Sequence, residues 1–264
     1  MKLKYLITLL LLMLGGLLGT VYYYGLDPAL LTKLSFYLNM ANPNVHIVDI
    51  HEGLRKEEVA NIVAKKLSWS EEEKQTFLNT PIALNTSNTE GHYFPDIYFL
   101  NKDETPAEVS TNMFDEYSTQ VDKIKKPKAK EIMNPETVLK IASIIERESG
   151  GKSDMRLISG IIWNRIFSGM KLQMDATLQY AKGNETDGWW PEVSPNDKKI
   201  KSSYNTYMYA GLPPSPIANP GLDAIEAAYN PEKTKCMFYL HDKNEKIHCA
   251  VTYEEHKKNI EKYY

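Results

Sequence analysis

The chain has only two cysteines in 264 residues, which excludes a disulfide scaffold and a thiolate zinc cluster. It has no excess of basic charge: 31 Lys and Arg stand against 34 Asp and Glu, a net charge of −3. A nucleic-acid partner held by a basic patch is therefore not expected. Glycine and proline, 14 each, are too few for a collagen or a linker protein. There is no glycine-rich phosphate loop, no Gly-x-Ser-x-Gly elbow, no internal repeat and no low-complexity segment. His241, His248 and His256 lie close in sequence, but a metal site needs a further ligand; no metal and no cofactor are expected. What remains is an ordinary core-forming composition, 42% apolar and 25% charged.

One feature stands out from that average. Residues 5–26 carry no charge. At ~1.5 Å per residue they reach ~33 Å, enough to cross a hydrocarbon core. Lys2 and Lys4 precede the run and Asp27 is the first charge after it. The positive-inside rule then holds the N-terminus in the cytoplasm and exports the rest. Tyr22, Tyr23 and Tyr24 stand where an outer aromatic belt would lie. A cleaved signal peptide is the alternative, although the run is long for one and the tyrosines make a poor cleavage site. Without its first 24 residues the chain has a net charge of −5. The expectation is a single-pass protein of the cytoplasmic membrane with its working part outside.

Past a connector over 27–44, the segment 45–50 alternates and is rich in β-branched residues, so it predicts a strand. Val59, Ile62, Val63 and Leu67 have helical spacing. Ser70 with Glu73 is a capping box for a second helix. Residues 91–100 are aromatic and extended. The order strand, helix, helix, strand thus fills 45–104, and a further helix opens at Thr105. Lys123 to Glu131 is a basic, proline-broken boundary. Asn134 caps the next helix, with Pro135 at its first position; Ser153 is expected to cap the one after. Residues 170–220 read as long irregular sequence, of the kind that carries function. A short helix over 222–229 and a hairpin over 236–251 follow. Cys236 and Cys249 fall on its two arms, where either a disulfide or two buried thiols is possible.

On the helix from Asn134, at ~100° per residue, Val138, Ala142, Ile145 and Ile141 form one apolar arc. Glu146 falls near 80° from Val138, Glu148 near 280° and Arg147 near 180°. The two glutamates therefore flank the core-facing arc and the arginine points away. Desolvation and the negative end of the helix dipole both raise the pKa of Glu146. A carboxyl group that keeps its proton near neutral pH is what a general acid needs. The same glutamate could equally serve an ion pair, and the wheel alone does not decide.

The motifs decide further. Ile141-Ala-Ser-Ile-Ile-Glu-Arg-Glu-Ser149 resembles the central motif of the MltG-type (YceG-like) endolytic murein transglycosylases. Phe94-Pro-Asp96, Trp163-Asn-Arg165, the block from Gly169 to Thr177, Tyr204-Asn-Thr-Tyr207 and the block from Gly211 to Pro220 resemble further family motifs, in order. Ser149 and Ala176 depart from the usual Thr and Pro, and Trp189 to Val193 has no clear counterpart. The resemblance implies an α+β fold: an N-terminal transmembrane helix (1–26), a small βααβ LysM-like domain (45–104) and an α+β catalytic domain (105–264). It implies cleavage of the MurNAc–GlcNAc bond of nascent peptidoglycan, leaving 1,6-anhydro-MurNAc ends. Glu146 would be the sole acid/base, with Glu148, Gln173, Asp175, Thr177, Tyr204, Asn205 and Thr206 lining the substrate cleft. Partners would be glycan strands, the cytoplasmic membrane and cell-wall synthases. Trp189, Trp190, Tyr204 and Tyr207 could stack on sugar rings. The competing classes are a non-catalytic glycan-binding scaffold and a two-carboxylate hydrolase.

Overall fold

The computed structural model describes residues 38, 40–81, 89–125 and 134–263. The expected anchor, most of the connector and the end of the basic run at Lys123 to Glu131 lie outside the described residues. Among the described residues no helix is long and apolar enough to cross a membrane.

Helices and two small sheets alternate along the chain. The first elements are β1 (Val45–Asp49), α1 (Lys56–Leu67), α2 (Glu71–Asn79) and β2 (Ile97–Asn101), and β1 pairs with β2. The expected order is present, although β2 is shorter than the extended run read from the sequence. The expected capping box of Ser70 with Glu73 starts α2, and the helix expected from Thr105, α3 (Pro106–Asp122), starts with a capping box of Thr105 and Glu108. The chain clusters into two units. One holds the described residues up to Ile47 together with Phe99–Lys102; the other holds Val48–Tyr98 and everything from Asp103 onward. The site described below lies wholly in the second unit.

That unit is built around α4 (Pro135–Glu148), whose Asn134 cap accepts from the Glu136 amide. Val138, Ile141, Ala142 and Ile145, the expected arc, are buried, and Leu139 and Ile144 beyond it are buried too. Val138, Ile141, Ala142, Ile144 and Ile145 pack with residues of α5 (Met155–Phe167) and α7 (Leu222–Tyr229), and with Leu172, Met174 and Ile217. Ser153 does not cap α5. The N-cap is Asp154, and its side chain makes no capping bond. Asp154 instead accepts from the Gly150 amide at 3.1 Å and pairs with His241 at 2.6 Å. The stretch read as irregular contains α6 (Asp175–Lys182) and a 3-10 turn at Pro195–Lys199. The chain closes with the antiparallel hairpin β3 (Phe238–His241) and β4 (Ile247–Ala250), then α8 (Tyr253–Tyr263). Cys236 and Cys249 form a disulfide across the hairpin.

Candidate active site

Three consecutive side chains leave the last turn of α4 in three directions, each met by a different part of the chain. Glu146 is half-buried, and its Oε2 accepts from the Gly221 amide at 2.9 Å. That amide is fixed because residues 215–221 run buried between α4 and the loop after β1. Ile217 N–H donates to Ser143 Oγ at 3.0 Å. Asn219 exchanges main-chain bonds with that loop: its N–H reaches Leu54 O at 2.7 Å, and its O accepts from Gly53 N–H at 2.8 Å. The Glu52 carboxylate lies directly on the Cα of Gly221, so a Cβ there would overlap it. Asp223 stands nearby in an ion pair with Lys152. Burial pushes the Glu146 carboxyl up to about 6, and Glu52 and Asp223 push the same way; the Gly221 amide and Arg147 oppose them. The sequence reading placed Glu146 at the margin of the core, and the structure puts it there.

Arg147 points away from the α4 core, as the wheel has it, yet it is half-buried. Its guanidinium lies 3.8 Å from the centre of the Trp190 ring, and Nη1 donates to Gly53 O at 3.5 Å. The Trp190 indole N–H donates to Glu58 Oε2 at 3.0 Å. The face of this indole is thus occupied by a cation. Trp189 is similarly engaged: Arg55 sits between it (4.9 Å) and Tyr180 (4.0 Å).

Glu148 turns to the opposite flank and is held by the Ala176 amide at 3.1 Å and the Tyr239 hydroxyl at 2.6 Å. Burial raises its pKa, and the two donors oppose that. Beside it opens a cavity of about 370 Å³, lined by Gln173, Asp175, Lys198, Tyr207, Tyr239 and His256 among others. Gln173 adopts a left-handed backbone, φ 51°, pinned by its N–H to Thr206 O at 3.1 Å. Tyr207 donates to Asp175 at 2.6 Å.

The expected cleft residues therefore divide. Glu148, Gln173 and Asp175 share that cavity. Thr177, Asn205 and Thr206 are buried, and their polar groups bond to the protein itself. The Thr177 and Thr206 hydroxyls meet at 2.9 Å, Thr206 Oγ1 accepts from Met174 N–H, and the Asn205 amide bridges Ile200 O and the Tyr207 N–H. They hold the cavity wall in shape. Tyr204 is partly buried; its hydroxyl bonds Ser215 at 2.7 Å and its ring packs on Tyr180. Sequence reasoning missed Glu52, Lys152, Asp223 and Tyr239. Tyr239 bonds Glu148, and Glu52, Lys152 and Asp223 act on Glu146 by charge, none of which leaves a periodicity to read. Among the described residues no group of three His, Cys, Asp or Glu side chains is placed to hold a metal.

Comparison with known proteins bears on this arrangement. The profile described as the YceG-like family matches residues 23–262. An endolytic murein transglycosylase of Bacillus subtilis (strain 168) is 36% identical over 175 residues, covering 66% of this chain and 48% of that protein. A protein of the same description from Streptococcus pneumoniae serotype 2 (strain D39) is 34% identical over 179 residues, covering 65% of this chain and 31% of its own length. The chain thus spans less than half the length of these relatives. A crystal structure of a YceG-like protein from Listeria monocytogenes superposes with a TM-score of 0.71 at 26% identity, covering 83% of this chain and 76% of that one.

Proposed function

The chain belongs to the YceG-like family, and from that premise we propose that it is an endolytic peptidoglycan lytic transglycosylase with Glu146 as its single acid/base. The observation that carries this reading is the placement of Glu146. It is a carboxyl group at the margin of the core, on a fixed amide, with burial pushing its pKa up to about 6. Such a group still carries its proton in a useful fraction of molecules near neutral pH.

In the proposed reaction the Glu146 carboxyl donates its proton to the glycosidic oxygen of a MurNAc–GlcNAc bond. The C1–O bond breaks as positive charge develops at C1 of MurNAc. The carboxylate then takes the proton from the C6 hydroxyl of the same sugar, and O6 closes on C1. The products are a GlcNAc-ended strand and a 1,6-anhydro-MurNAc end, and Glu146 is returned protonated. The attack is intramolecular, so it has a high effective concentration and needs no second carboxylate to hold a water. Glu148, held by Ala176 and Tyr239 on the other flank, then serves the cleft wall. Residues 45–104 are proposed as a LysM-like module. Residues 1–26 are proposed as a single-pass anchor in the cytoplasmic membrane, with the enzyme outside. There it would shorten nascent strands beside the synthases that make them.

The test is mass spectrometry of products from uncrosslinked glycan, using the full chain in detergent beside Glu146→Gln. Fragments one water lighter than hydrolytic ones, missing with the variant, are expected. Reducing ends would keep Glu146 but replace the mechanism by hydrolysis. Absence of any product from a folded, glycan-binding protein would turn the reading into a scaffold.

A further inference from the structure

The mechanism above leaves unused an exposed carboxylate that sits on the same glycine as the general acid. Glu52 lies in the loop between β1 and α1, far from Glu146 in sequence. Its carboxylate rests on the Cα of Gly221, and the N–H of that same residue donates to Glu146 at 2.9 Å. The loop is not free to drift. Gly53 and Leu54 exchange main-chain bonds with Asn219, and Arg147 Nη1 reaches Gly53 O. Arg55 is tied by Nη1 to Tyr180 O at 3.2 Å and Gly183 O at 3.4 Å. The chain directly after Glu52 is thus held in place, and its carboxylate is carried to the glycine that bonds the acid.

We propose that Glu52 is a positioning residue of the catalytic centre: seated on Gly221, it adds a like charge to the burial that favours protonated Glu146, so that the alkaline limit of the enzyme depends in part on this loop being docked. The proposal rests on Glu146 being the general acid. The other charges facing Glu146 are Arg147 on its own helix, Asp223 on α7 and Lys152 in the loop before α5. Lys152 and Asp223 form an ion pair and largely offset each other. Arg147 favours the carboxylate. Lys152 also faces Glu52, so the set holds two cations and two anions, and Glu52 is the anion that the docked loop brings to Glu146. Glu148 and Asp175 face the other flank of α4, toward Tyr239 and Tyr207.

Two readouts test this in the full chain. The first is independent of activity: carboxyl carbon NMR of the Glu side chains, with the Glu146 signal assigned by its loss in Glu146→Gln. In Glu52→Gln the Glu146 midpoint is expected to fall by about one pH unit. Gly221→Ala, which forces the Glu52 carboxylate off its seat, should move it the same way. The second is the pH profile of kcat/KM on uncrosslinked glycan. Glu52→Gln should stay within about twofold of wild type at pH 5 and fall about tenfold below it at pH 7.5. Glu52→Asp should restore part of the alkaline activity. An unmoved Glu146 midpoint in folded Glu52→Gln overturns the proposal, and so does an activity loss equal at all pH values, which marks a structural role. If wild type titrates as described but cleaves nothing, the enzymatic reading fails while the NMR result still decides the electrostatic one.

Discussion

Glu90 shows what the same physics does to a carboxyl group that no substrate can reach. It is fully buried, accepts from the Lys56 amide at 3.0 Å and the Tyr180 hydroxyl at 2.9 Å, and lies near Glu57. Burial and the Glu57 charge push it from the ordinary 4.5 up to about 7. A proton held more tightly in the folded state stabilises that state at low pH. The contribution is complete below 4.5 and disappears as pH rises through about 7. Glu90→Gln stays neutral throughout, and the Tyr180 hydroxyl can turn to accept from its amide. Between pH 4 and pH 8 wild type is therefore expected to lose ~3 kcal/mol relative to Glu90→Gln. Urea unfolding of both proteins at the two pH values measures this, and a difference that does not change with pH would refute it. At this scale the sequence was informative for Glu146, Arg147 and Glu148, because helix periodicity reports which residues flank a core and which point away from it. It said nothing of Glu90 or Glu52, whose environments are made by residues distant along the chain.

Elements with their own end signals were the readable ones. Ser70 with Glu73, Thr105 with Glu108 and Asn134 before Pro135 each start a helix where local chemistry requires one. α6 was not readable: Met174 precedes it and supplies no capping side chain, so its start is set by the Glu148 carboxylate taking the Ala176 amide. Ser153 misled because Asp154, next to it, is committed to Gly150 and His241. The hairpin was readable as two arms, and its covalent closure was left open. That closure has a measurable weight. Cys236 and Cys249 are 13 residues apart, and tying a loop of that size restricts the unfolded chain by ~3 kcal/mol. Replacing both cysteines with serine should lower stability by about that amount. A thiol reductant should lower the wild-type melting temperature to match while leaving the double variant unchanged. If the reductant shifts both proteins equally, or neither, the hairpin does not depend on the bond. The hairpin also carries Tyr239 to Glu148, so its loosening reaches the α4 terminus.

For the molecule as a whole, Asn219 joins the two halves of the second unit at the site. Its side chain accepts from the Tyr93 N–H at 2.9 Å and donates to Leu54 O at 2.9 Å, with no exposure to solvent. One residue therefore ties the buried 215–221 segment to the loop that carries Glu52 and to the strand entry at Tyr93. Tyr93 in turn stacks on Phe77 of α2 and bonds Ser110 of α3. Asn219→Ala keeps the main-chain pairing with Gly53 and Leu54 and deletes both side-chain bonds, leaving the Tyr93 N–H buried without this acceptor. The cost is ~2–4 kcal/mol, the sum of a lost bond and an unsatisfied donor. The loss should be concentrated: hydrogen exchange at residues 51–55 and 93–94 is expected to quicken more than in the α4 core. Because Glu52 rides on that loop, the alkaline activity should fall further than the activity at pH 5. Uniform acceleration of exchange over the whole chain would mean that Asn219 contributes only global stability. Unchanged exchange at 51–55 would mean that the main-chain pair with Asn219 is enough to dock the loop. The local pattern is the one expected if the general acid, its amide and its neighbouring charge act as one assembly held together by this residue.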